Sequence, residues 1–174
     1  MAQPHYDRFS VLLHWLMAAL LLAQLGLGLW MMELPKGGSG VRAYWFNVHK
    51  SMGMLLGLLI VVRSGWARAR KPLAPLPLGW ATQTLAAANH RLLYVFMLVA
   101  PLSGFLGSLF SGYPILFFGM RLPGVAVRWD AAKELMRCAH QLSVYALMLL
   151  VCLHLLAFAY HQFILKDGLI RRMR

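Results

Sequence analysis

Four stretches of the chain are dominated by apolar side chains, and turn-rich, proline-rich or mixed segments separate them. A helix needs roughly 20 largely apolar residues to cross a hydrocarbon core of about 30 Å. That criterion predicts membrane helices at about 9–32, 46–66, 90–110 and 138–163. The second is the weakest, because its purely apolar part, MLLGLLIVV, is short and the helix must take in His49 and Lys50 at one end. Lys50 would snorkel toward the interface. Pro101, inside MLVAPLSGFLGS, is expected to kink the third helix, which a membrane helix tolerates when a neighbour satisfies the freed carbonyl. The first run is long enough to span and no small-residue cleavage site follows it, so it is expected to stay.

The connections differ in character. ELPKGGSGVRAYWFN is a glycine-rich turn, RARKPLAPLPLGWATQTLAAAN reads as extended and proline-rich, and SGYPILFFGMRLPGVAVRWDAAKE mixes apolar with charged residues and is expected to lie along the interface. No repeat or second soluble domain is visible. The economical reading is all-α: residues 1–174 as a single transmembrane four-helix bundle.

Composition supports this, with 60% hydrophobic and only 13% charged residues. A formal charge of +12 raises nucleic-acid binding, but Lys and Arg sit in the gaps between apolar runs and form no basic stripe, which excludes it. Cys138 and Cys152 lie about four turns apart on one helix, so they cannot form a disulfide with each other. Lys and Arg near the helix ends favour both termini in the cytoplasm. That side then holds Arg8, Arg63, Arg68, Arg70, Lys71, Arg91, Lys166, Arg171, Arg172 and Arg174, against Lys36, Arg42, Lys50, Arg121, Arg128, Lys133 and Arg137 outside. The outer face is unusually basic for a translocated surface.

Candidate chemistry lies in the histidines, which are costly inside a bilayer and mark a site by default. Their depths match in pairs: His14 with His154 on the inner side, His49 with His140 on the outer. The fourteen-residue step from His140 to His154 is close to four whole turns, so both project from one side of the fourth helix about 21 Å apart. Two opposed neutral imidazoles form the axial pair of a low-spin haem, whose flat apolar ring fits between helices. Two haems at two depths are expected; the alternative is a structural or transport bundle without a cofactor, its histidines making interhelical hydrogen bonds. Gly53 and Gly57 read either as a bare face for a porphyrin or as simple helix packing. No C-x-x-C-H sequence is present, so the haems are expected to be non-covalent, of b type. A zinc site lacks further ligands at either level. A proton relay wants closer steps.

His161 and His90 lie near the cytoplasmic boundary, where they read as interfacial residues or as a polar pocket for a quinone beside the inner haem. Arg8, Arg63 and Arg91 match the inner haem propionates in depth, and Arg42 and Lys50 the outer ones, beside the plain reading of topology and snorkelling.

The contexts LLHWLM, FNVHKSMGM, NHRLLYVFMLVAPLSGF and AHQLSVYALMLLVCLHLLAFAYHQF, with the terminal FILKDGLIRRM, resemble the bacterial cytochrome b561 family over nearly the whole chain, and within it the superoxide oxidases most. The resemblance implies a di-haem protein of the bacterial inner membrane in which His14 and His154 hold the iron of one haem and His49 and His140 that of the other, with a quinone near His161. It further implies electron transfer from superoxide, arriving from the periplasm, to ubiquinone. The alternative is a quinol-oxidising cytochrome b subunit that reduces a periplasmic protein partner. The lysine that helps bind quinone in the superoxide oxidases has no counterpart in PLAPLPLGW; Lys71 lies earlier.

Overall fold

The computed structural model describes residues 5–36, 40–70, 79–123 and 126–168. Four helices, each long and apolar enough to cross a membrane, make up most of it: α1 (Arg8–Trp30), α2 (Val41–Ala69), α3 (Trp80–Leu109) and α4 (Asp130–Ala159). A single widened π-helical stretch (Tyr160–Leu165) continues α4. Lys71, the PLAPLPL segment, Arg171, Arg172 and Arg174 lie outside the described residues.

Three helices begin several residues earlier than hydrophobicity alone indicates. α3 starts at Trp80, ten residues before the expected 90, because TQTLAAAN is rich in alanine, the best helix former, without being apolar. α4 starts at Asp130 in place of 138, its amphiphilic first turns carrying Lys133, Glu134 and Arg137, with Asp130 favourably placed at the positive end of the helix dipole. α2 likewise gains the turn Val41–Trp45 before the expected 46. Between α3 and α4 the chain adds a small hairpin, β1 (Leu116–Phe117) antiparallel to β2 (Met120–Arg121). Phe118 and Gly119 make its turn with φ of 47° and 87°, and β1 packs on α2. The otherwise all-α bundle thus carries a two-residue-per-strand flap where an interfacial segment is expected.

The bundle is apolar on the outside. Leu12, Leu58, Leu142, Leu149 and Leu156 are exposed along the helices, whereas Ser51, Ser103, Ser108 and Ser143 are buried. Each buried serine donates to a backbone carbonyl, as Ser143 does to Ala139 at 2.6 Å, so none is left unsatisfied. Large apolar side chains facing outward and small ones between helices is the arrangement expected where lipid is the solvent.

Sequential helices pack in order: α1 on α2, α2 on α3, α3 on α4. At one end of the α1–α2 pair the Phe9 and Trp66 rings meet edge to face at 4.9 Å, and Trp66 Nε1 donates to Asp7; at the other, Trp30 meets Trp45 at 5.2 Å. Gly57 lets α2 approach the Pro101 ring of α3: a Cβ at Gly57 would lie 3.4 Å from it. Among the described residues, the backbone of α4 approaches neither α1 nor α2 as closely as it approaches α3. Histidine side chains cross that space.

Candidate functional site

Two imidazole pairs bridge the gap at two depths. His14 of α1 faces His154 of α4 with ring centroids 6.4 Å apart and planes inclined at 69°. His49 of α2 faces His140 of α4 at 6.2 Å and 89°. An iron held at about 2 Å by one nitrogen of each of two opposed rings separates their centroids by roughly 6.3 Å, so both pairs stand at the separation a six-coordinate haem requires. Among the described residues, no three His, Cys, Asp or Glu side chains are arranged to hold a metal ion. Pairs without a third ligand suit a metal that brings its own four equatorial donors.

The His49–His140 pair has surroundings that fit such a group. His140 Nδ1 lies 2.8 Å from the carbonyl oxygen of Ala100. A carbonyl only accepts, so Nδ1 carries the proton and Nε2 keeps its lone pair, as in a metal-binding histidine whose other nitrogen is held by a backbone carbonyl. His49 Nδ1 is buried and has no hydrogen-bond partner, an orphaned polar atom that the packing alone leaves unexplained. Both rings lie against glycines of neighbouring helices. A Cβ at Gly28 of α1 would stand 3.1 Å from His49 Cε1, and one at Gly104 of α3 would stand 3.1 Å from His140 Nδ1. These are the glycines that admit the imidazoles. Gly53 and Gly57 serve packing instead: a Cβ on Gly53 would meet Gln24 at 3.3 Å, and Gly57 faces Pro101. Gln24 Nε2 donates to the His49 carbonyl at 2.7 Å, holding α1 to α2 at this level.

The inner pair has more company. His90 sits ten residues inside α3, not at its start, and its ring lies 5.4 Å from that of His154. Arg63 of α2 donates from Nη1 to His14 Nδ1 at 3.2 Å and from Nε to Tyr94 Oη at 3.0 Å. A guanidinium has no acceptor, so the His14 proton sits on Nε2, opposite to His140. Binding iron through Nε2 therefore requires that proton to shift and the Arg63 contact to open.

His161 is buried, with 7% of its surface exposed, and its Nδ1 meets Asp167 Oδ2 at 2.5 Å. The π stretch begins at Tyr160, so the regular 100° step that would align His161 with His154 ends just before it. Lys166 follows with φ of 52° and turns the chain back to bring Asp167 onto the ring. Arg8 is exposed at the first residue of α1. Arg42 is engaged with backbone, donating to the Met32 and Leu34 carbonyls beyond α1 and lying over the Phe46 ring at 5.1 Å.

At the end of the bundle that carries the hairpin, Arg128 pairs with Asp130 at 3.6 Å and Arg137 with Glu134, while Arg121 and Lys133 are exposed and carry no ion pair among the described residues.

The profile of the family described as prokaryotic cytochrome b561 matches residues 5–174. Cytochrome b561 homolog 2 of Escherichia coli K12 is 30% identical over 97% of this chain and 90% of its own. Cytochrome b562 of Cereibacter sphaeroides is 29% identical over 98% and 96% of the two chains, and cytochrome b561 homolog 1 of E. coli is 24% identical over 97% and 96%. Two opposed histidine pairs inside a four-helix membrane bundle and a match over almost the full length agree: the chain belongs to the prokaryotic cytochrome b561 family of multi-pass bacterial membrane haem b electron-transfer proteins.

Proposed function

We propose that this chain oxidises superoxide at its periplasmic face and reduces ubiquinone at its cytoplasmic face, with both termini in the cytoplasm and two haem b groups held by His14 with His154 and by His49 with His140. The observation that carries this reading is the pair of imidazole couples, 6.4 and 6.2 Å apart, displayed at two depths by one helix. Haem, when bound, supplies reversible one-electron transfer at each level.

The balance is simple. Two superoxide ions each give up one electron and leave as dioxygen, and one quinone takes both electrons and two protons. Nothing at the outer face need move a proton, so its residues have only to attract the anion and exclude bulk water. Arg121 and Lys133, exposed and without an ion pair, favour encounter with a small anion, by about 10-fold or more at low salt. The Ala100 carbonyl holds His140, and Gly28 and Gly104 leave room for the outer ligands. At the inner level Arg63, which bonds His14 and Tyr94, would supply the cation for a haem propionate. His161, buried at the cytoplasmic end, is the group that can hand a proton to a quinone oxygen.

The test is quinone reduction in vesicles that contain the purified protein and ubiquinone, driven by an enzymatic source of superoxide. Quinol formation that saturates with protein and slows as salt rises supports the proposal. Slow haem reduction that is insensitive to ionic strength contradicts it, and favours the reverse flow from quinol to a periplasmic protein.

A further inference from the structure

The Asp167 carboxylate has no role in the reading above, yet the fold goes to some length to place it. The α4 helix widens into a π stretch at Tyr160–Leu165, and Lys166 takes a left-handed conformation that residues with a Cβ rarely adopt. The consequence is a contact of 2.5 Å between His161 Nδ1 and Asp167 Oδ2 on a ring with 7% exposure. We infer that Asp167 is a positioning residue for His161: it holds the proton on Nδ1, so that Nε2 is the atom that exchanges a proton with the quinone. This deepens the quinone reading and rests on it.

The chemistry follows that of other carboxylate–imidazole couples. A carboxylate bonded to one ring nitrogen fixes the tautomer and stabilises the imidazolium without itself becoming protonated. During reduction the quinone receives two electrons from the one-electron donors at the outer face, and an O–H bond forms on each carbonyl oxygen. His161 Nε2–H supplies one of these protons and recovers it from cytoplasmic water, which also supplies the other, while Asp167 stays ionised opposite Nδ1. Without the carboxylate the ring is free to choose its tautomer, and the imidazolium loses its counter-charge. A purely structural role, in which the pair only locks the end of α4, would leave the proton step intact.

The test uses the full chain with its haems, reduced chemically and mixed with a short-chain ubiquinone, while haem reoxidation is followed. Asp167→Asn is expected to slow the maximal rate by about 10-fold or more, with half-saturating quinone within about 2-fold and haem content unchanged. Asp167→Glu, which keeps the carboxylate, is expected to recover most of the rate. An independent readout is the nitrogen spectrum of labelled histidine in the reduced protein: the His161 signal, identified by its loss in His161→Gln, reports the Nδ1-protonated form and loses that fixed form in Asp167→Asn. Should Asp167→Asn not load haem, Asp167→Glu and the wild-type tautomer decide. The inference is overturned if Asp167→Asn reoxidises at the wild-type rate, if Asp167→Glu is as slow as Asp167→Asn, or if His161 is not protonated at Nδ1. A slow His161→Gln beside a normal Asp167→Asn sinks the positioning role alone. A His161→Gln protein that reoxidises normally removes the quinone reading and the inference with it.

Discussion

The Nδ1–H of His140 donates to the carbonyl oxygen of Ala100 across 2.8 Å, so the α4 imidazole that faces His49 is oriented by the residue just before Pro101 on α3. The same stretch of α3 supplies Gly104, whose missing side chain leaves room for that ring. One short segment therefore both aims the His140 ring and makes space for it.

Gly104→Ala places a Cβ about 3.1 Å from His140 Nδ1, tighter than the neighbour can accept without moving. Overpacking of this kind costs about 1–3 kcal/mol. The expected result is purified protein that retains the inner haem and loses most of the outer one, read as haem per chain. Gly53→Ala, at a glycine that packs on Gln24, is expected to leave haem content near wild type.

Arg63→Gln removes the cation that bonds His14 and Tyr94. A positive charge beside a haem favours its reduced form, so the inner midpoint potential is expected to fall by about 50 mV or more, about 1 kcal/mol for one electron. Redox titration followed in the visible bands measures this. The outer potential is expected to stay within about a third of that shift, since the two pairs lie about four turns apart.

Ser51 is buried on α2 and holds the outer hairpin: its hydroxyl accepts from Phe118 N at 2.9 Å and donates to Asn47 O at 2.8 Å. Ser51→Ala leaves the Phe118 amide without its acceptor, at a cost of about 1–3 kcal/mol. Faster proteolytic cleavage within 116–121 is expected, with both haems retained.

Asp7 caps α1, accepting from Ser10 N at 2.9 Å and Ser10 Oγ at 2.6 Å, and these bonds, the Ser10 side chain's first, hold its carboxyl below the usual carboxylate range. The folded value is depressed, so the stabilisation is present above the unfolded value near 3.9 and is lost as pH falls through the folded one. Asp7→Ala is expected to lower the Tm of the detergent-solubilised protein at pH 7, and to lower it by less as the pH falls below the unfolded value. A Tm difference as large at pH 2.5 as at pH 7 would count against the cap.

The histidine pairing was legible because depth in a membrane helix is a matter of counting: His140 and His154 are four turns apart, and His49 on α2 and His14 on α1 lie at the matching depths. What periodicity could not show is where a helix extends beyond its apolar part. TQTLAAAN is helical without being hydrophobic, so His90 belongs beside His154 and not at a helix start. Nor does a glycine announce what fills its missing side chain. Gly53 and Gly57 lie near His49 in sequence, whereas Gly28 and Gly104 face the His49 and His140 rings from other helices. The Asp167 contact depends on a π turn and one left-handed residue, which no spacing rule for regular helices anticipates. The signal available was its six-residue distance from His161 in a segment with few carboxylates.

The central claim is that two histidine pairs hold two haems. Haem quantification on the purified full-length protein, after extraction as the pyridine complex, with His140→Ala and His154→Ala alongside, tests it most directly. The account predicts two extractable b-type haems per wild-type chain, and about one in His154→Ala, where His49 and His140 remain. It predicts about one in His140→Ala as well, held by His14 and His154. A wild-type chain with no haem, or with a single haem that either substitution removes, would contradict it.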